Sequence, residues 1–297
     1  MCLQSRHCFL FSSIPRFSLL RLVIVRKLNS ATIYRHSAGK GAVDIIVIGG
    51  GCYGTFQTRR LLKAIGAGRI GGNARIVIVD RNESPPARTE FGDNGRVVFA
   101  KSDWSSFLSD YVLSYSAGRG DQLIPAHIAP HLLFDVCSNY LRVRGGHAVE
   151  FIPVVTTFDL PFEKSNGTTK YISAAAWLCP FSCIEPSVCP AIKGERTWDL
   201  STLVPARVGR SADMTIVFKT THYAWGVSSI SLDSIFESCE SLLNRALASG
   251  DGGLTAVVAT TSNCHGAVGL MKITARPGAA GHAIRLQDSK SVIADVA

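Results

Sequence analysis

Apolar runs of strand length alternate with stretches of helical spacing in the first third of the chain. The run Ile-Ile-Val-Ile predicts a buried strand over residues 44–49, and Ile-Val-Ile-Val predicts a second one over residues 75–80. Between them, the apolar positions of residues 55–64 have the spacing of an amphipathic helix. The pattern therefore predicts a strand–helix–strand unit, which normally makes a right-handed crossover between parallel strands.

The same alternation returns twice further along the chain. It predicts strands over residues 96–100, 151–158, 214–220 and 254–260, and helices over residues 127–141 and 232–248. A further helix is expected to run through Tyr111, with Ser102 or Asp103 as its N-cap. Strands that alternate with helices favour an α/β fold, in which a parallel sheet is covered on both faces.

Residues 159–212 interrupt this pattern. They contain five prolines and a group of cysteines, but no convincing amphipathic helix. We expect an irregular, cysteine-rich insertion at about 159–212 within a single α/β domain that spans residues 44–276, in preference to two independent domains. The tail, residues 277–297, has little periodicity and is expected to be loose.

The basic excess of the chain lies in its first 43 residues. The formal net charge is +9, but residues 1–43 contain seven Lys or Arg and no acidic residue. The rest of the chain has 24 basic and 22 acidic residues, which argues against a nucleic-acid partner. We interpret residues 1–43 as a disordered leader, either an organellar transit peptide or an upstream extension without a role. The expected location is cytoplasmic, or organellar if the leader is a transit peptide.

Composition excludes two further classes of protein. With 46% hydrophobic and 18% charged residues, the chain is expected to be globular and not disordered. Its apolar runs are far shorter than the roughly 20 residues that a membrane-spanning helix requires. We therefore expect no membrane span. The sequence does not indicate an oligomeric state.

Three glycines follow the first predicted strand in the spacing Gly49-x-Gly51-x-x-Gly54. In a dinucleotide-binding turn, the first glycine permits the sharp turn, the second lets the pyrophosphate approach the backbone, and the third allows the helix to pack closely. The second predicted strand ends at Asp80, 26 residues after Gly54, near the position of an acidic partner for a ribose hydroxyl.

This segment resembles the broad NAD(P)- or FAD-binding Rossmann superfamily, over residues 44–80 only. The resemblance implies a Rossmann-like parallel sheet, with Gly49, Gly51 and Gly54 facing the phosphates and Asp80 facing the adenosine ribose. It implies NAD(P) as the cofactor, with FAD as the second choice. The acidic Asp80 favours NAD, although Arg81 would soften repulsion of a 2′-phosphate. The alternative is a Rossmann sheet that keeps the glycines for packing and binds nothing.

Three thiols lie within eleven residues, at Cys179, Cys183 and Cys189, and two of them precede a proline. Irregular backbone that directs several thiolates to one point is typical of iron–sulfur and zinc sites. The spacing matches neither the common ferredoxin run nor a zinc knuckle, so zinc and an iron–sulfur cluster both remain open. Buried thiols or a disulfide that involves Cys183 are the alternatives.

Chemically active side chains also follow two of the later predicted strands. His222 comes after the strand at 214–220, and Cys264 and His265 come after the strand at 254–260. In a single parallel sheet these residues would share one edge with the glycine turn. We predict Cys264 (or His265) as the fourth metal ligand and His222 as the proton donor or acceptor.

The sequence thus predicts a dinucleotide-binding oxidoreductase-like protein with a cysteine-ligated metal or iron–sulfur site near the nucleotide and a small-molecule substrate. The first alternative is a non-catalytic nucleotide-binding module in which zinc clips the cysteine loop. A transferase that uses S-adenosylmethionine is the weaker alternative, because that fold does not need the third glycine.

Overall fold

The computed structural model describes residues 41–125, 131–180 and 182–275. Within these ranges the fold is mixed α/β, with two six-stranded sheets, a small two-stranded ladder and six α-helices. Nearly all of the expected leader, and the tail at 277–297, lie outside the described residues. None of the described helices is both long and apolar enough to cross a membrane.

The strands, in chain order, are β1 (Val43–Ile48), β2 (Ala74–Asp80), β3 (Val97–Lys101), β4 (Gln122–Ile124), β5 (Ala148–Ile152), β6 (Phe162–Asn166), β7 (Thr169–Ser173), β8 (Val188–Cys189), β9 (Gly194–Glu195), β10 (Met214–Lys219), β11 (Thr221–Ala224), β12 (Val227–Ser231), β13 (Leu254–Thr261) and β14 (His265–Thr274). The α-helices are α1 (Cys52–Gly66), α2 (Pro86–Phe91), α3 (Trp104–Leu113), α4 (Leu132–Arg144), α5 (Leu200–Val208) and α6 (Leu232–Ala248).

The first sheet has the order β11-β12-β4-β1-β2-β3. Strands β4, β1, β2 and β3 are parallel, whereas β12 is antiparallel to β4 and β11 is antiparallel to β12. Residues Ile45, Ile46 and Val47 are completely buried. A strand that is apolar on both faces is typical of a parallel sheet with helices on both sides, which explains the unbroken apolar run in the sequence.

The second sheet has the order β10-β13-β14-β7-β6. Strand β5 pairs with the second half of β14, after the residues that pair with β7. Only the β10–β13 pair is parallel; the other pairs are antiparallel. The predicted single parallel sheet is therefore wrong: the strands that begin at Met214 and Leu254 belong to a separate, mixed sheet. The prediction failed because it did not include β14, which follows β13 after a short turn and pairs with it antiparallel. Gly266 and Gly269 lie within β14 and weaken its strand pattern in the sequence.

The expected irregular insertion at 159–212 is only partly irregular. It contains the β6–β7 hairpin, which turns at Gly167, and helix α5. Asp199 caps this helix by accepting a hydrogen bond from the Ser201 N–H at 2.9 Å. Pro205 inside α5 hid the helix from the pattern analysis.

Two predicted boundaries also move. The strand expected at 151–158 is β5, which ends at Ile152. The helix expected at 127–141 is described from Leu132 to Arg144, and residues 127–130 lie outside the described part of the chain. The remaining predicted strands and helices agree with the structure to within a few residues.

The two sheets share one hydrophobic core. Buried side chains of the first sheet, such as Ile46 and Val77, belong to the same cluster as Ile216 and Val258 of the second. Helices α3, α4 and α6 supply most of the remaining members, including Phe107. The hydrophobic contacts are therefore continuous between the two sheets.

A buried ionic network fixes the amino ends of the parallel strands. Arg75 donates to both carboxylate oxygens of Asp44, at 2.8 and 3.0 Å, and Arg119 donates to Asp121 at 2.9 Å. The Tyr111 hydroxyl lies 2.8 Å from Asp121 and 3.0 Å from Asp44. Since each buried carboxylate has a guanidinium partner, the charges are compensated where β1, β2 and β4 begin.

The closest contact between α1 and β1 depends on Gly54. A Cβ at this position would lie 1.8 Å from the carbonyl oxygen of Gly49. We expect Gly54→Ala to lower the free energy of unfolding by about 3 kcal/mol, because the helix must move away from the strand. Urea denaturation measures the change.

Gly66, the last residue of the same helix, provides the matched control, since a Cβ there meets no atom within 4 Å. Gly66→Ala should leave the stability unchanged or raise it by up to about 1 kcal/mol. Equal stability of the two variants would contradict the close packing inferred at Gly54.

Candidate functional site

Both sheets contribute to a cavity of about 630 Å³. From the first sheet and its helix come Gln57 of α1, Pro125 at the carboxyl end of β4, and Gly226 in the β11–β12 hairpin. The second sheet contributes residues near the ends of β7, β13 and β14, among them Ser173 and His265. A single residue, Thr220, connects β10 of the second sheet to β11 of the first, and it also lines the cavity. The cavity therefore lies where the two sheets meet.

The glycine turn lies at the start of α1, one helical turn before Gln57. A Cβ at Gly51 would meet no atom within 4 Å, whereas Gly54 is in contact with the strand. Gly49 has a φ of +86°, a conformation that favours glycine. The three glycines thus have the turn, open approach and close packing that a dinucleotide turn requires.

Asp80 lies against the same turn. Its carboxylate accepts hydrogen bonds from the Gly50 N–H at 2.6 Å and the Asn82 N–H at 2.8 Å. An ionised carboxylate has about four acceptor positions, so further acceptor capacity remains. The neighbouring Arg81 forms an ion pair with Asp103, which makes its guanidinium less available to a phosphate.

The amino end of α1 has no acidic residue in its first turn and no side-chain cap. Its first N–H groups therefore meet neither a carboxylate nor a capping hydroxyl of their own helix. A helix end of this kind attracts anions, because the N–H groups and the helix dipole both favour negative charge.

The cysteine segment (residues 179–189) brings Cys179 close to Cys264. Burial raises the pKa of the Cys179 thiol, and the nearby Cys183 and Cys189 raise it further. Burial also raises the pKa of Cys264 to about 11, to which Glu185 and Cys179 contribute. The predicted ligand set requires such proximity of Cys179 and Cys264.

The arrangement is not a preformed metal site. Within the described ranges, no three or more His, Cys, Asp or Glu side chains are grouped so that they would hold a metal ion. The Cys264 sulfur accepts a hydrogen bond from Trp198 at 3.3 Å, and Cys189 lies in the β8–β9 ladder opposite Gly194. Cys179 and Cys183 do line the cavity.

Glu185 has a role that the sequence did not indicate. Its carboxylate accepts hydrogen bonds from the Ser262 hydroxyl at 2.5 Å, the Asn263 N–H at 2.7 Å and the Cys264 N–H at 3.3 Å. These three groups form the β13–β14 turn (residues 262–264). Glu185 thereby fastens the cysteine segment to the second sheet, a contact between distant residues that has no sequence signal.

His265, at the start of β14, faces the cavity with Ser173 of β7 behind it. The Ser173 hydroxyl donates to the Ala175 carbonyl at 2.9 Å, accepts from the Ala175 N–H at 3.0 Å and lies 3.0 Å from Nδ1 of His265. Because the hydroxyl has a single hydrogen, Nδ1 is best assigned as the donor to Ser173, which leaves Nε2 as an acceptor. Burial lowers the pKa of His265, partly opposed by Glu185, and so favours this neutral ring.

His222, the predicted proton donor or acceptor, has a different environment. It is exposed on β11, and its Nε2 accepts a hydrogen bond from the Gly226 N–H at 3.0 Å. It is not part of the cavity wall. The contact stabilises the hairpin turn, where Trp225 has a φ of +44°.

Comparison with protein-family models matches part of the chain. Residues 133–274 match the family model AF_1314_C, described as "Uncharacterized protein, C-terminal domain". The match begins inside α4 and includes the whole second sheet, the cysteine segment, His222 and His265, but not the glycine turn. No curated protein and no solved structure matches the chain.

The anchoring role of Glu185 leads to a direct prediction. Glu185→Gln replaces one acceptor oxygen by an NH₂ group that faces backbone N–H donors. We expect a loss of about 2 kcal/mol in the free energy of unfolding. Amide hydrogen exchange of Asn263 and Cys264 should become faster, as measured by mass spectrometry.

Glu195→Gln is the control, because Glu195 is exposed on the neighbouring β9 strand. It should change neither the stability nor the exchange of residues 262–264. Unaltered exchange in the Glu185 variant would show that the carboxylate does not hold the turn.

Proposed function

We propose that this protein is an oxidoreductase that binds NAD(P) at the β1–α1 turn, as in Rossmann domains, and a small-molecule substrate in the adjacent cavity. The observation that carries the proposal is the glycine turn: space in front of Gly51, helix contact at Gly54, and an acidic side chain against the turn at Asp80. A chain that kept the glycines for packing alone would not need the open approach at Gly51.

The topology supports the same placement. In the order β4-β1-β2-β3, the direction of the strand connections reverses between β1 and β4. Open α/β sheets bind ligands at such a reversal, beyond the carboxyl ends of the strands. A dinucleotide with its ribose at Asp80 and its phosphates at Gly51 would extend across β1 towards β4, where Pro125 lines the cavity.

The charges near Asp80 favour NAD over NADP. A 2′-phosphate would meet the Asp80 carboxylate, and the ion pair of Arg81 with Asp103 reduces compensation of that repulsion. FAD is the second choice, as the resemblance implies.

When bound, a nicotinamide would supply or receive the hydride. The protein's own contribution is position and environment: the cavity wall limits water, and His265 presents a neutral nitrogen that is oriented by Ser173. His222 is replaced in this proposal by His265, because His222 is occupied with its hairpin turn.

The glycine turn can be tested without knowledge of the substrate. We expect Gly51→Val to weaken NADH binding at least about 100-fold, because the added side chain occupies the space where the pyrophosphate approaches. Isothermal titration calorimetry with NADH and NADPH measures the effect. Wild-type protein should bind NADH more tightly than NADPH.

Gly72→Val is the control, since a Cβ at Gly72 also meets no atom within 4 Å but lies in a loop away from the turn. Its affinity for NADH should equal that of the wild type. If Gly51→Val binds NADH with undiminished affinity, the turn is not the site.

A metal site remains a second candidate component. The observation that favours it is geometric: Cys179 and Cys183 line the same cavity, and Glu185, two residues after Cys183, accepts a hydrogen bond from the Cys264 N–H. Zinc would act as a structural clip or a Lewis acid, and an iron–sulfur cluster would carry electrons. Zinc and an iron–sulfur cluster would both require the four cysteine side chains to lie closer together than they do in this structure.

Elemental analysis and a visible spectrum of anaerobically purified protein distinguish these cases. About one zinc per chain would support the clip, and visible absorption that dithionite bleaches would support a cluster or a flavin. Bound metal should fall strongly in Cys183→Ser and remain in the control Cys52→Ser, whose thiol is exposed at the glycine turn. Metal-free, colourless wild-type protein would eliminate this component.

A further inference from the structure

The charge of the cavity wall restricts the ligand. Among the described residues that line it there is no Lys or Arg, and Glu185 is the only acidic side chain. An anionic ligand would lose its hydration without gaining a cationic partner, and it would also face this carboxylate. The Glu185 carboxylate already accepts three hydrogen bonds from the β13–β14 turn, so its need for an ammonium partner is reduced.

Hydroxyl groups are the most frequent polar groups of the wall. The Ser and Thr residues that line the cavity are Ser173, Thr220, Ser228, Thr260, Thr261 and Ser262. Two of these side chains, Thr260 and Thr261, are at least 95% buried, and their Oγ1 atoms have no hydrogen-bond partner among the described residues. Buried polar groups without partners are rare in proteins and suggest that a bound molecule completes them.

His265 adds an acceptor to these groups. With Nδ1 directed to Ser173, its Nε2 has no hydrogen-bond partner among the described residues. An alcohol hydroxyl can donate to this nitrogen, whereas a carboxylate cannot.

We infer that the cavity binds an uncharged organic molecule with at least one hydroxyl group, held by His265 Nε2 and the hydroxyl of Thr260, which pairs with Ala267 and so lies on the same face of the sheet as His265. The inference rests on the proposed function, since it names the substrate class of the same site: an alcohol that would give its hydride to bound NAD(P)⁺ and its hydroxyl proton to His265 Nε2, with the corresponding carbonyl compound as the product. The aromatic side chains Phe162, Tyr171 and Trp177 provide apolar surface for the carbon skeleton. A volume of about 630 Å³ falls within the range of small-molecule pockets.

Three probes that share one ring and differ in charge test the inference. They are trans-1,2-cyclohexanediol, cyclohexanecarboxylate and cyclohexylammonium, each titrated into the full chain with and without NAD⁺ and followed by ligand-observed NMR. The diol should bind, and both charged probes should bind at least about tenfold more weakly.

Two substitutions locate the binding. Thr260→Val removes the hydroxyl but keeps the methyl group, and His265→Asn keeps a donor for Ser173 but removes Nε2. Each should weaken diol binding about fivefold or more, while the control Thr215→Val, on β10 and outside the cavity wall, should have no effect. Circular dichroism checks the fold, and the Thr260 variant suffices if the His265 variant does not fold.

The outcomes separate this inference from the proposed function. Failure of the diol to bind, equal or tighter binding of either charged probe, or unchanged diol binding in Thr260→Val overturns the inference even if NADH binds at the glycine turn. Diol binding that depends on Thr260, in a protein that does not bind NADH, upholds the ligand class and overturns the proposed function instead.

Discussion

The shape of the cavity depends on the hydrogen bonds that the Glu185 carboxylate accepts. It joins the cysteine segment, which has almost no regular secondary structure, to the β13–β14 turn by three hydrogen bonds. Arg196 reinforces the same point by donating to the backbone carbonyls of Glu185 and Pro186. Because Glu185 has a φ of +52°, its backbone is held in a conformation that an L-residue rarely adopts without such support. Without these hydrogen bonds, little would hold the cysteine segment in place at one side of the cavity.

The two sheets have complementary parts in this arrangement. Strands β1 and β2 of the first sheet end at the glycine turn and at Asp80, where we propose that the dinucleotide binds. Among the described residues of the cavity wall, the second sheet presents hydroxyls and an imidazole but no Lys or Arg, and the cysteine segment adds two thiols. Their shared core joins one sheet to the other, and Gln57 and Pro125 line the same cavity as Ser173 and His265. In the proposed function, the cofactor and the substrate would therefore occupy separate but adjacent sites.

The prediction from sequence was best where local chemistry and tertiary structure agree. The central residues of β1 and β2 (45–48 and 76–79) are buried on both faces and had to be apolar, and Gly54 leaves no room for a side chain. Long helices such as α6 were equally clear, because their apolar stripe faces the shared core. The pattern failed for short strands such as β4, and for β14, whose glycines and long-range partners carry little local signal.

The sequence by itself determined the strand–turn–helix unit, its glycines and the position of Asp80, because sterics and burial over neighbouring residues dictate those amino acids. Only the tertiary structure decided what surrounds the cavity. Pairing of β14 with β7 places His265 opposite Ser173, and the long-range contact of Glu185 brings the cysteine segment to the β13–β14 turn. Such contacts join residues about 80 or more positions apart, and they follow from sheet order and register, which local patterns of hydrophobicity do not encode.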